Sequence, residues 1–197
     1  MTLVEDIVVK RLGRVDYLPT WEAMRTFTRQ RDESTPDELW LLEHPSVYTV
    51  GQGASVPAPA NAIPVVKTDR GGDITYHGPG QAVIYTLVDL ARRSIKVKRF
   101  VWLLEQAVID LLGGRAERKA AAPGVYVDGA KIAALGIRVV RGRAYHGLAL
   151  NVDMDLSPFS AIDPCGYPGL RVTQTKDLGI AVTADQLAQR VIENLDA

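Results

Sequence analysis

Between Arg70 and Gln81 the chain reads RGGDITYHGPGQ, and no other stretch limits the possible fold so much. Five of these twelve residues are Gly or Pro, and both types weaken helix interiors. Arg70, Asp73, Thr75, Tyr76 and His77 stand among them. Strongly β-like runs flank the segment, Ile63 to Thr68 before it and Ala82 to Val88 after it. That placement reads as main chain held by a sheet and brought close to a ligand, with amides free to donate.

Around this segment the apolar pattern alternates between the two common periods. Residues 3 to 10 read as a first strand. From Asp16, a candidate N-cap, Tyr17, Trp21, Met24 and Phe27 fall on one helix face, and Pro19 is tolerable in the first turn. Leu39 to Leu42 and Val47 to Val50 are strands parted by a turn at His44-Pro45-Ser46. Residues 51 to 61, rich in Gly, Ala and Pro, form a loop. Phe100, Leu103, Leu104, Ala107, Val108 and Leu111 mark a helix stopped at Gly113-Gly114. Gly124 to Val127 and Lys131 to Val140 form a hairpin across Asp128-Gly129, and Arg141-Gly142-Arg143 turns into a strand through Leu150. Residues 153 to 180 are irregular. Thr183 and Gln186 open a closing helix as a capping box, with Leu187, Val191 and Leu195 on its inner face. We expect one α+β domain over residues 1–197, helices packed on a mixed or largely antiparallel sheet.

Composition narrows the function. Basic and acidic residues number 23 each, so the net charge is zero and gives no general footprint for nucleic acid. Arg92, Arg93, Lys96, Lys98 and Arg99 form a local basic patch, read more simply as a solvated helix start. A single cysteine rules out an internal disulfide, and His44, His77 and His146 lack metal-ligand spacing, so we expect no metal. The N-terminus is neither a signal peptide nor a membrane span, which points to the cytoplasm.

That cysteine, Cys165, sits in Asp163-Pro164-Cys165-Gly166. A free cysteine is commonly a small buried hydrophobe, yet these neighbours do not resemble a core strand. On an irregular loop it would be an accessible nucleophile, with a few per cent thiolate already present near neutral pH. Lys131 opens an otherwise apolar run and is a candidate acid or base beside it. The simpler reading is a strand-start lysine in solvent. His77 orients a carbonyl or merely satisfies a turn, and His146 adjoins a small-residue strand where a ligand chain has room. Arg70 with Gly71 and Gly72 is a candidate anion site, without a P-loop ending or a dinucleotide fingerprint.

Taken in order, five segments resemble the lipoyl(octanoyl) transferase family: Arg70 to Gln81, Ala122 to Val127, Lys131 to Arg138, His146 to Asn151, and Ile162 to Gly166. The likeness extends from His44-Pro45-Ser46 to Gly179. Asp73 stands where other polar or apolar residues also occur in the family, the Thr173-Gln174-Thr175 stretch is less typical of it, and neither disturbs the reactive positions. The resemblance implies a fold shared with biotin and lipoate protein ligases. It also implies Cys165 as acyl carrier, Lys131 as the residue that tunes it, and no cofactor. The acyl pocket would be Arg70, Gly71, Gly72, Asp73, Ile74, Thr75, Tyr76 and His77, with Ala134, Leu135 and Gly136, and with Gly147, Leu148 and Ala149. The implied donor is octanoyl-acyl carrier protein. The implied acceptors are lipoyl domains of 2-oxoacid dehydrogenase complexes and the glycine cleavage H protein. Amides near Cys165 or at Gly71-Gly72 would hold the oxyanion. Three rivals stand beside it: an ATP-dependent ligase, a non-catalytic acyl-binding protein, and a thioesterase-like hydrolase.

Overall fold

The computed structural model describes residues 7–54, 59, 61–162 and 169–197. Period-two burial organises the large sheet. On β2 (Glu38–Glu43), Leu39 and Leu41 pack toward one core while Trp40 and Leu42 pack toward another. β6 (Gln81–Asp89) alternates likewise, Ile84 and Val88 against Val83, Tyr85 and Leu87. Both faces of these strands are therefore covered, so they read as nearly continuous apolar runs.

Seven strands share that sheet, in the order β1-β2-β6-β10-β9-β8-β7. The others are β1 (Val8–Arg14), β7 (Ala116–Lys119), β8 (Ala122–Val127), β9 (Ala130–Val140) and β10 (Arg143–Asn151). β1 pairs with β2 in parallel, and the remaining pairs are antiparallel. A second sheet, β4-β3-β5, contains β3 (Val47–Val50), β4 (Val65–Lys67) and β5 (Ile74–His77). Helices α2 (Val97–Leu112) and α3 (Ala184–Leu195) supply Phe100, Leu104, Val108, Leu187 and Val191 to one core. Helix α1 (Tyr17–Gln30) lies on the opposite face with Tyr17 and Met24. This is the mixed-sheet α+β architecture expected above.

Local chemistry accounts for the turns. Asp128 and Gly129, then Arg141 and Gly142, all have positive φ, the signature of type I′ hairpin turns. The capping box forms, Gln186 N donating to Thr183 Oγ1 at 3.2 Å and Thr183 N donating to Gln186 Oε1 at 2.9 Å.

Several boundaries differ from expectation. The first strand begins at Val8 and runs to Arg14. The strand expected over Ile63 to Thr68 contracts to Val65–Lys67, since Pro64 has no N–H to donate. The glycine-rich segment is only half loop, because Ile74 to His77 form β5, hydrogen-bonded to β3. Strand β7 was not expected at all, its AERK sequence having no apolar alternation. The basic patch also resolves differently. Arg92 and Arg93 precede α2 and reach the buried carboxylate of Asp37 at 2.9 and 2.5 Å, which Arg31 also meets at 2.7 Å.

Candidate active site

The two sheets meet along a narrow cleft. Its first wall is the glycine-rich segment, from Arg70 and Gly72 through Asp73, Ile74, Thr75 and His77. Ala134, Leu135 and Gly136 of β9 and Gly147, Leu148 and Ala149 of β10 make its floor. Those strands are paired in register, Ala134 with Ala149 and Gly136 with Gly147. Three separate segments of the chain thus converge, although up to 79 positions part Arg70 from Ala149. Gly71 and Tyr76 are not among the walls. The Tyr76 ring packs instead on Tyr48 and Phe159, with its hydroxyl 2.9 Å from Ser46 Oγ.

Arg70 is a clamp. Its buried guanidinium donates from Nε and Nη2 to Thr49 Oγ1, from Nη2 to Thr49 O at 2.6 Å, and from Nη1 to Gly71 O. A Cβ on Gly136 would stand 3.0 Å from both Arg70 Cδ and Gly71 O, a tight contact that Arg70 or the Gly71 carbonyl would have to yield to by a few tenths of an ångström. The Gly71 amide donates to Ile137 O at 2.9 Å, which commits it to the sheet and away from an oxyanion.

His77 is fixed by Gln81. The Gln81 amide donates from Nε2 to Tyr76 O and to Asn151 Oδ1, leaving its Oε1 to accept from His77 Nδ1 at 2.7 Å. Burial pushes the His77 imidazole down to about 3, so it is neutral, and Nε2 carries the lone pair. His44 is held the same way. Its Nδ1 donates to Val15 O and its Nε2 accepts from the Tyr85 hydroxyl, both at 2.7 Å. Burial takes it down to about 4.

At the other end Asp69 accepts from Trp21 Nε1 at 2.9 Å, from the Tyr145 hydroxyl at 2.5 Å and from His146 Nε2 at 2.8 Å. Burial opposes its charge, but those hydrogen bonds outweigh it and hold the carboxyl well below the usual range. His146 is itself lowered by burial.

Lys131 does not end in solvent. It is 3% exposed and borders a small chamber with Thr75, Ala133, Ala134, Asn151, Phe159 and Val172. Thr75 and Ala134 belong to both spaces, so the chamber adjoins the cleft. Gly124, at φ +131°, makes room for the side chain: a Cβ there would fall 2.5 Å from Lys131 Cε. The Gly124 amide is held by the buried carboxylate of Glu105 at 3.0 Å. The Lys131 main chain bonds to Arg171 O and Thr173 N at 2.8 and 2.9 Å.

Cys165 lies outside the described residues, as do its neighbours from 163 to 168. Both flanks of that segment reach the chamber, Phe159 before it and Val172 after it. The family model for the lipoyl protein ligase A/B catalytic domain matches residues 16–196. The chain belongs to the lipoyl protein ligase A/B catalytic domain family. Within that family it is 61% identical, over 194 residues, to an octanoyltransferase from Aromatoleum aromaticum, covering 96% of this chain and 84% of the relative. A Thermoplasma acidophilum structure with bound lipoic acid matches 97% of this chain and 85% of its own at a TM-score of 0.72, with 15% identity. The biotin protein ligase from Aquifex aeolicus, in complex with biotin and ATP, covers 96% and 68% at 0.58, with 11% identity. The shared architecture is therefore that of lipoate and biotin protein ligases.

Sequence reasoning did not include Tyr17, Val83 and Tyr85 in the cleft, nor His146 among its binding residues, and all four line it. Val83 and Tyr85 were readable as one face of a period-two strand. Tyr17 also belongs to the buried inner face of α1. Among the described residues no helix is long and apolar enough to cross a membrane, and no cluster of three His, Cys, Asp or Glu could hold a metal.

Proposed function

We propose that this chain, as one catalytic domain over residues 1–197, moves an octanoyl group from acyl carrier protein to a lysine of lipoyl domains, with Cys165 as the intermediate carrier. The observation that carries the reading is the seat of Lys131. It is a buried side chain where a largely apolar cleft adjoins a chamber bordered by both flanks of the Cys165 segment. Octanoyltransferase relatives across nearly the whole chain support the same reading.

The chemistry balances without another reactant. Cys165 thiolate attacks the donor thioester carbon, and the carbon–sulfur bond to the carrier breaks. Lys131 gives its proton to the departing thiolate. The acceptor lysine, as free amine, then attacks the octanoyl thioester, its proton passes to Lys131, and Cys165 leaves as thiolate. General acid–base help of this kind is worth typically ~10²–10⁴-fold. Cleft residues 134–136 and 147–149 would hold the alkyl chain, each buried methylene contributing about 0.8 kcal/mol.

Intact-mass spectrometry after mixing with octanoyl-acyl carrier protein, without ATP, tests the proposal. An octanoyl adduct should form, map to Cys165, disappear as an added lipoyl domain gains the same mass, and be absent from Cys165→Ala. Domain modification that requires ATP and free octanoate would place the chain with the ligases instead. Release of free octanoate at a rate indifferent to the domain would mark a hydrolase. An adduct that never forms, on a cleft that still binds acyl chains, would leave only a binding protein.

A further inference from the structure

The seat of Lys131 is built from β8. The lysine Nζ lies 5.6 Å from the centroid of the Tyr126 ring, within the span of a cation–π contact. Its Cε runs past Gly124, where a Cβ would come within 2.5 Å of it. The place of Lys131 therefore depends on what fixes β8 at these two residues.

The sheet does not fix it at Gly124. β7 pairs Arg118 with Val125 and Lys119 with Ala122, so Pro123 and Gly124 bulge from the ladder with no residue opposite them. On its other side β8 pairs with β9 only from Val125 onward. A buried amide in such a bulge needs an acceptor from elsewhere. The Gly124 amide finds it in helix α2, donating to Glu105 Oε1 at 3.0 Å.

Glu105 breaks the pattern of its own helix. The other buried residues of α2 are Phe100, Leu103, Leu104, Ala107, Val108 and Leu112, all apolar. A carboxylate in that company is costly unless its oxygens are engaged. Both are, because Oε2 accepts from Arg118 Nε at 3.1 Å. Arg118 is itself fixed by Trp102 O and Gln106 Oε1 of the same helix. Glu105 lines neither the cleft nor the chamber. An apolar side chain would pack α2 as well, but it would give the bulge no acceptor.

We propose that Glu105 is a positioning residue for acyl transfer: it pins the β8 bulge at Gly124 and so holds the Lys131 side chain at its chamber. The proposal rests on the acyl-transfer reading above and adds to it a residue that acts through Gly124 without meeting substrate.

Two variants separate reach from charge. Glu105→Gln keeps an oxygen at the same reach and loses the charge. Glu105→Asp keeps the charge and draws the acceptor back by roughly 1.5 Å, one carbon–carbon bond. Octanoyl transfer onto Cys165 is followed in a single turnover at several concentrations of octanoyl-acyl carrier protein, with rates taken per folded molecule. Glu105→Gln should stay near the wild-type rate. Glu105→Asp should lose at least about tenfold in maximal rate, with the half-saturating donor concentration unchanged. A group that only stabilises the fold would lower the melting temperature and leave the rate per folded molecule as it was. A wild-type rate in Glu105→Asp, or an equal loss in both variants, overturns the proposal. Should Glu105→Asp not fold, Glu105→Met, of similar volume and without a strong acceptor, takes its place with the same expectation.

A second readout needs no donor. Lys131 is buried, so trace acetylation with acetic anhydride, mapped by mass spectrometry, should label it slowly. Labelling should quicken severalfold in Glu105→Asp and stay slow in Glu105→Gln. Unchanged protection in Glu105→Asp overturns the proposal even where transfer itself is observed. A wild-type chain that forms no octanoyl adduct overturns the acyl-transfer reading instead, and the labelling then decides alone whether Glu105 holds Lys131.

Discussion

Gly124 and Lys131 occupy what would otherwise be one volume. A methyl group on Gly124 would lie 2.5 Å from Lys131 Cε and 3.2 Å from Nζ. The lysine stem therefore fills the space that every other amino acid would claim at position 124. Gly124→Ala should displace the ammonium and also strain a backbone at φ +131°. Acyl-enzyme formation should slow at least about tenfold, in keeping with the sensitivity of catalysis to small misplacements. Donor affinity should change little. Single-turnover mass spectrometry separates the two quantities.

Lys131→Met should remove the ammonium while keeping most of the stem. Transfer should fall by about 10²–10⁴-fold with a near-native melting profile. Retention of full rate in that variant would remove Lys131 from the chemistry.

A third expectation concerns stability away from the cleft. Asp37 and Arg31 are fully buried, and Arg92 and Arg93 share the same carboxylate. Burial alone would raise the Asp37 carboxyl, but the hydrogen bonds from Arg93, the Asp89 amide and Arg31 outweigh it and hold it below its usual value. Asp37→Ala leaves Arg31 buried and uncompensated, so urea denaturation should show a loss of about 3–5 kcal/mol.

The pH dependence of folding follows from two buried histidines. His44 and His77 are held neutral by burial, at about 4 and about 3, against 6.5 for an exposed imidazole. Above about 6.5 neither form of the chain binds these protons, and stability is unaffected. As pH falls below 6.5 the unfolded chain takes them up first, so stability should decline by about 1.4 kcal/mol per pH unit for each histidine. The decline should continue down toward the folded values. Urea midpoints between pH 7 and pH 4.5 check this. A flat profile until the carboxylate range would contradict the buried neutral histidines.

How much of this was legible beforehand differs by element. Apolar period alone marked α1, α2, β2, β6 and the hairpin strands, because each buries at least one continuous face. Strand β7 left no such mark, being a short polar edge. β5 was hidden because glycine and proline neighbours mask four residues whose strand character comes from pairing with β3. In the cleft, most of the expected residues lie together, whereas Arg70 proved to spend its guanidinium on Thr49 and Gly71. Tyr85 and His146 become visible as lining only once β6 and β10 are set side by side.

The walls of the cleft belong to different sheets. Thr75 and His77 come from the three-stranded sheet, while Ala134 and Ala149 come from the seven-stranded one. The opening is a seam between two slabs, stitched at one side by the Gly71 amide, which donates to Ile137 O of β9. A guest lying along it must touch both slabs at once and so acts as mortar as well as cargo. Filling the seam should raise the resistance of the joint itself, so that the loaded chain melts later than the empty one by the margin that mass action sets.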